Sequence, residues 1–128
     1  MSVNVSITGS IKATDSVAGT IALSKVLTAL TTPATVFTEA SGANVGTSPV
    51  AVTLPVSPTT FVYIKCTHAT QTLTVTWTPN GGASNQVVVL QPGSYISFGE
   101  TTQAVSGITA LTLTGSGAAT SYELILAG

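Results

Sequence analysis

Charge is what this sequence has least of. Charged side chains make up 5% of its 128 residues, against roughly 25% in an average soluble protein. Arginine is missing altogether, and the full charged inventory is Lys12, Lys25, Lys65, Asp15, Glu39, Glu100 and Glu123. Such a chain has no means of building a nucleic-acid surface, which needs clustered Lys and Arg to neutralise phosphates and release counterions. A polybasic contact with a membrane surface is excluded on the same count.

Other scarcities bear on chemistry. With one cysteine, Cys66, no intramolecular disulfide can form. The only histidine is His68 and the only aspartate Asp15. A serine, His68 and Asp15 make a triad on paper, but no nucleophile-elbow pattern supports it. Cys66 and His68 stand two apart and would share one face of a strand, yet two ligands do not complete a four-coordinate zinc site. The structural reading, a small buried thiol and a histidine at the strand's end, is preferred. Four isolated acids give none of the ligand spacing that calcium requires. Gly81-Gly82 lacks the strand–loop–helix setting of a phosphate cradle and reads as a turn. The expectation is a protein that is not an enzyme, with no catalytic, cofactor-binding or metal residues.

Long apolar runs are also lacking. The most apolar window, Val17 to Leu30, is broken by Lys25 and several hydroxyl residues and is too short to span a bilayer. The start, MSVNVSITGS, shows no positive segment followed by an apolar block, so a secretory signal is not expected. Synthesis in a cytoplasm without Sec-type export is the simplest reading.

What the sequence does have is alternation. Hydrophobic residues make up 44% of it, enough to fold rather than stay disordered. Val3, Val5 and Ile7 alternate before Gly9, Ile21 and Leu23 after Gly19, and Val50, Val52 and Leu54 before Pro55. The dense run FVYIKC, Phe61 to Cys66, reads as a strand covered on both faces. Gln71 to Thr78, Gln86 to Leu90, Ser94 to Phe98, Ile108 to Thr114 and Ser121 to Ala127 complete the set of predicted strands.

Turn chemistry separates these segments. Pro79, Asn80, Gly81 and Gly82 follow the strand Gln71 to Thr78, and Asn and Gly accept the positive φ that tight hairpins need. Gln91-Pro92-Gly93-Ser94 has the type II arrangement, proline second and glycine third. Gly115-Ser116-Gly117 ends one strand just before the last begins. Short strands with such breaks predict an all-β fold, a β-sandwich of jelly-roll type. The competing reading of Ser16 to Leu30 is a helix capped at Ser16 and wound through Val17, Ile21 and Leu27. Threonine, Gly19 and the lack of a helical stripe disfavour it.

The segment Thr31 to Ser48, TTPATVFTEASGANVGTS, is the loosest and reads as an excursion. Residues 1–128 are expected to form a single domain, since nothing before Val50 can bury a core alone. Its compact strands would lie at 50–128. The first 30 or so residues would either pair with later strands or extend as an N-terminal arm onto a neighbouring copy.

The alternating strand QTLTVTWT poses the functional question. Leu73, Val75 and Trp77 face one way and Thr72, Thr74, Thr76 and Thr78 the other. Trp77 therefore reads as core, as does Tyr63 beside Phe61, and a glycan-binding role would fall to loops. Sheet edges and outer faces usually carry charges against unwanted pairing. Threonine in their place suits a face covered by other protein, because interface cores are depleted in Lys, Glu and Asp and a hydroxyl costs less than a charge to desolvate. A homo-oligomer or lattice component is expected.

The run FVYIKCTHATQTLTVTWTPNGGASNQVVVLQPGSYISF, with GITALTLTGSGAATSYELILAG after it, resembles small β-rich structural proteins of tailed bacteriophages. The likeness covers roughly Phe61 to Gly128. Cys66 departs from it, standing where a polar residue such as Asn is expected. The resemblance implies a virion component, such as a capsid decoration (cement) protein, a head fibre or a small tail protein. Its partners would be the major capsid protein or other virion proteins and copies of itself, with no cofactor, no nucleic acid and no membrane. The alternative it leaves is a receptor- or glycan-binding jelly-roll module of a tail or head fibre, meeting a host glycan.

Overall fold

Ten strands account for the alternating segments of the chain. In the computed structural model, which describes residues 3–14, 21–34, 37–99 and 107–128, they are β1 (Val3–Thr14), β2 (Ile21–Ala34), β3 (Phe37–Val45), β4 (Val50–Ala51), β5 (Phe61–Cys66), β6 (Leu73–Pro79), β7 (Gln86–Leu90), β8 (Tyr95–Gly99), β9 (Ile108–Gly115) and β10 (Thr120–Ala127). There is no helix among the described residues, hence none long and apolar enough to cross a membrane.

Eight strands form two four-stranded antiparallel sheets. Sheet I has the order β3-β10-β5-β8 and sheet II the order β4-β9-β6-β7. The pairs β3/β10, β4/β9, β5/β8 and β6/β7 are those of one long antiparallel hairpin rolled over on itself. First pairs with last and the two middle strands pair with each other, which is the jelly-roll arrangement. The predicted class is therefore found.

Alternation assigns each strand an inner and an outer set. On sheet I, Ile96, Ile64 and Leu124 form one inward row, and Phe98, Val62 and Leu126 the next. On sheet II, Val88, Val75, Leu113 and Val50 are in register, as are Gln86, Trp77 and Leu111. These side chains, except the exposed Val50 and Gln86, make one continuous core with Cys66, Leu73, Leu90 and Ile108. Trp77 reaches across it from sheet II to Phe98 on sheet I, ring centroids 5.5 Å apart.

Corners between the sheets rely on glycine. At Gln91–Ser94 the Ser94 N–H donates to the Gln91 carbonyl at 2.9 Å, with Gly93 at φ +79°, the predicted type II geometry. Gly115 closes β9 where the chain leaves sheet II, and a Cβ there would collide with the Thr120 side chain and the Val45 carbonyl oxygen. The β6–β7 connection is longer than the predicted tight turn: Trp77 pairs with Gln86, so the loop spans 80–85.

Three other expectations need correction, and the disfavoured helical alternative can be checked. The excursion Thr31–Ser48 holds the end of β2 and all of β3, an edge strand of sheet I. Its small residues hid a bulge: Ala43 opposes Tyr122 and Ala40 opposes Leu124, so Ser41 and Gly42 together face the single Glu123. Such a bulge weakens any period-2 signal. The helical alternative fails over 21–34, which is strand; residues 16–20 lie outside the described residues. Of Val50, Val52 and Leu54, strand geometry extends over Val50–Ala51 alone. Finally, β5 is not covered on both faces, since Tyr63 and Lys65 are half-buried outward positions.

At the N-terminus, β1 and β2 pair with each other as a two-stranded antiparallel ribbon and join neither sheet. Its register runs from Val3 opposite Ala34 to Thr14 opposite Ile21, with irregularities after Ile7 and Ala13. Among the described residues, neither ribbon strand pairs with the later strands of the same chain.

Candidate functional site

The two outer faces of the sandwich differ in kind. On sheet II the outward residues of β6 are Thr74, Thr76 and Thr78. Across from them stand Val89 and Val87 on β7 and Thr114, Thr112 and Ala110 on β9, with Ala51 beside Thr112. Charge is missing from this face among the described residues. Val87 and Val89 are 62% and 51% exposed, on the edge strand of the sheet. β-Branched side chains packed this way favour the strand conformation itself. They leave a flat surface of methyls and hydroxyls.

Sheet I gathers the charge. Lys65, Glu123 and Glu39 all lie on its outer face; Lys12 and Lys25 belong to the ribbon strands, and Asp15 and Glu100 lie outside the described residues. Two cross-strand rows build the site. The first sets Tyr95, Lys65 and Glu123 side by side, and the second Ser97, Tyr63, Ile125 and Glu39. Across the diagonal between rows, the Tyr63 hydroxyl donates to Glu123 Oε1 at 2.8 Å. Lys65 Nζ stands 3.9 Å from the same oxygen, both side chains being about one-third exposed. The Tyr63 ring leans on Tyr95, centroids 6.0 Å apart and planes tilted by 36°. Tyr95 is 62% exposed.

Burial pushes the Tyr63 phenol up to about 12 from its ordinary 10, helped by its hydrogen bond to Glu123 and by that carboxylate's charge. The phenol is therefore held as a neutral donor. Beside it, the bulge of β3 opens a cavity of about 310 Å³ lined by Glu39, Ala40, Ser41, Tyr63, Glu123, Leu124 and Ile125. The site thus depends on the one strand that sequence reasoning took for loop. The signal that could have found it was charge: Glu39, Lys65 and Glu123 are three of the few charges the chain has.

The residues weighed for chemistry fall elsewhere. Cys66 is fully buried on the inner face, its thiol donating to the Gln71 carbonyl at 3.3 Å. His68 sits just past the strand, and its Nδ1 accepts the Gln71 and Thr70 amides at 2.9 and 3.2 Å. The imidazole organises the β5–β6 turn, with Nδ1 already used. Asp15 lies outside the described residues. Gly81 and Gly82 carry positive φ in the β6–β7 loop, and Trp77 belongs to the core.

No protein-family model matches the chain, and the search of curated proteins finds no match. Among solved structures, the chain is similar to a protein of Bacillus endospore appendages, described as a novel family of disulfide-linked pili. The two share 16% identity over 70% of this chain and 84% of that one, with a TM-score of 0.48.

Proposed function

We propose that this chain is a non-enzymatic structural protein of a tailed-bacteriophage virion, of the capsid decoration or cement kind. It would act by seating the outer face of sheet II against the shell protein and neighbouring copies. One observation carries the reading: among the described residues, the charge of the sandwich lies on one face, and the opposite face presents threonine, valine and alanine up to an edge strand. Exposed edges of that kind invite pairing unless something covers them. Covering this one buries methyls at no charge-desolvation cost, and the adjacent hydroxyls of Thr76 and Thr112, and of Thr74 and Thr114, can bond across strands. The ribbon adds support, because a two-stranded hairpin on its own is marginal in water and gains from a neighbour.

The test is copy number and protection in purified particles. Quantitative mass spectrometry against the major shell protein should give about one copy per shell subunit or per small cluster of subunits. Stripping the protein should lower the temperature at which particles break open. A handful of copies per particle, or an unchanged disruption temperature, would refute the decoration role. A handful would also move the protein to a tail or vertex.

A further inference from the structure

The outer face of sheet I has a feature that assembly through sheet II leaves unused, the cavity between β3 and β5 over β10. We propose that it is a saccharide-binding site, taking one pyranose ring of a neutral glycan between Tyr63 and Glu39, with Tyr95 extending the platform. This inference does not rest on the assembly reading, since it uses the other face.

The geometry suits a sugar ring. Tyr63 and Glu39 both oppose Ile125 from its two sides, so their backbones stand two strand spacings apart, about 10 Å. The floor is Ile125, and the cavity of about 310 Å³ lies at the small end of the range for ligand pockets. The groups around it are those that polyols use. Ionised carboxylates are acceptors alone, with several lone-pair directions each, and Glu123 and Glu39 present two of them. Glu39 is exposed, and the described residues give it no hydrogen-bond or ion partner. Ser41 adds a hydroxyl that can donate or accept. Tyr63 and Tyr95 supply apolar ring surface with a polar tip, the amphipathic character that suits a partly wet interface. Because the Tyr63 phenol stays neutral and bonded to Glu123, that carboxylate is fixed in place before any ligand arrives.

A cationic ligand fits less well. Lys65 already stands 3.9 Å from Glu123, and the two tyrosine rings lean on each other, leaving no gap for an ammonium between them. Trp77, the aromatic that the sequence offered for sugar stacking, is occupied by Phe98 inside the core.

The chain's three tyrosines make the test direct, because Tyr122 packs against the core and serves as an internal control. The full chain, labelled with ¹³C at tyrosine, is titrated by NMR with glucose, galactose, N-acetylglucosamine and rhamnose, and separately with tetramethylammonium chloride. At least one sugar should shift Tyr63 and Tyr95 along a saturable curve while Tyr122 stays put. For a ligand of about a dozen heavy atoms, ordinary ligand efficiency gives a dissociation constant on the order of 1 mM. The Glu39→Gln/Glu123→Gln variant should weaken it at least about tenfold, and Tyr95→Ala, at an exposed position where folding is not at stake, should weaken it measurably. The proposal is overturned if none of the four sugars gives a saturable shift or if all three tyrosines move together. It is equally overturned if the variants bind as the parent does, or if tetramethylammonium alone is bound.

Discussion

Replacing Val87 and Val89 with lysine asks whether the outer face of sheet II is a contact surface. Fully burying a valine side chain stabilises by about 1.5–3 kcal/mol. With 62% and 51% of these residues still exposed, covering them in an assembly stabilises by roughly 1 kcal/mol each, or about 2 kcal/mol per contact. Removing that alone weakens association about 30-fold. Each lysine must also shed water or bend its stem out of the contact, so 30-fold is a lower bound. The isolated sandwich, by contrast, should barely notice, because outward positions on an edge strand tolerate substitution within about 0.5 kcal/mol each. Sedimentation velocity over a concentration series reads self-association, co-sedimentation with stripped particles reads seating on the shell, and urea melts read the fold. The expected result is loss of both kinds of association with near-parental melts. Val87→Thr/Val89→Thr, which keeps the shape and changes only a methyl to a hydroxyl on each side chain, should fall between. If association survives the lysines undiminished, the surface is not the contact and the argument from uncharged threonine fails. A fold loss larger than the association loss would show that these valines serve the sandwich itself.

Three further outcomes follow from the packing. Trp77→Ala removes the ring that bridges the sheets to Phe98 and should cost about 2–4 kcal/mol in urea melts, toward the lower part of the range for large aromatics because the residue is partly exposed; sugar-induced shifts of Tyr63 and Tyr95 should survive it. Gly115→Ala places a methyl against Thr120 and the Val45 carbonyl oxygen, and since that oxygen belongs to the backbone the corner must move; a loss of about 1–3 kcal/mol is expected, and a neutral melt would show that the corner is looser than drawn. The Tyr63 phenol should titrate with a midpoint near 12 by ¹³C NMR. Glu123→Gln should bring that only part of the way back toward 10, because burial is the larger cause. The sign for stability follows: the unfolded chain ionises near 10 and the folded one near 12. The contribution of neutral Tyr63 is therefore complete below pH 10 and is lost as pH rises through about 12.

How much of this was legible in the sequence depends on which physics set each part. Period-2 alternation located β6 and β9, since one face of each is buried and the strand period then shows in the residues, while β5 stood out as a dense apolar run. The Gln91–Ser94 corner was legible because proline and glycine fix φ locally. β3 was not, because an edge strand with a bulge need not alternate, and Thr38 to Asn44 contains no large aliphatic residue. The site was lost with it. A cavity walled by Glu39 and Ser41 on one side and Tyr63 and Glu123 on the other joins residues some 22 to 84 positions apart, and nothing local marks their convergence. Tyr63 read as core for a similar reason. It shares a face with Phe61, which is buried, but one row along the same strand the cover ends and the ring stands half in water.

The distribution of charge connects these parts. A sequence reader sees a chain with almost no charge and infers a surface meant to be covered. The fold makes that statement directional: the same poverty of charge that leaves sheet II bare places Lys65, Glu39 and Glu123 together on sheet I. Within the described sandwich, no charge is spent on the other face. If charge served solubility alone, scattering three groups over both faces and the edges would serve it better. Their concentration beside two tyrosines and a cavity is what a surface that stays in contact with solvent, and recognises something there, requires. The two faces can be separated by experiment. Lysines at Val87 and Val89 should abolish assembly and leave the sugar-induced tyrosine shifts intact, whereas Tyr95→Ala should weaken sugar binding read at Tyr63 and leave assembly intact. Loss of both functions in either variant would mean that the faces are coupled, and the division of labour proposed for them would have to be abandoned.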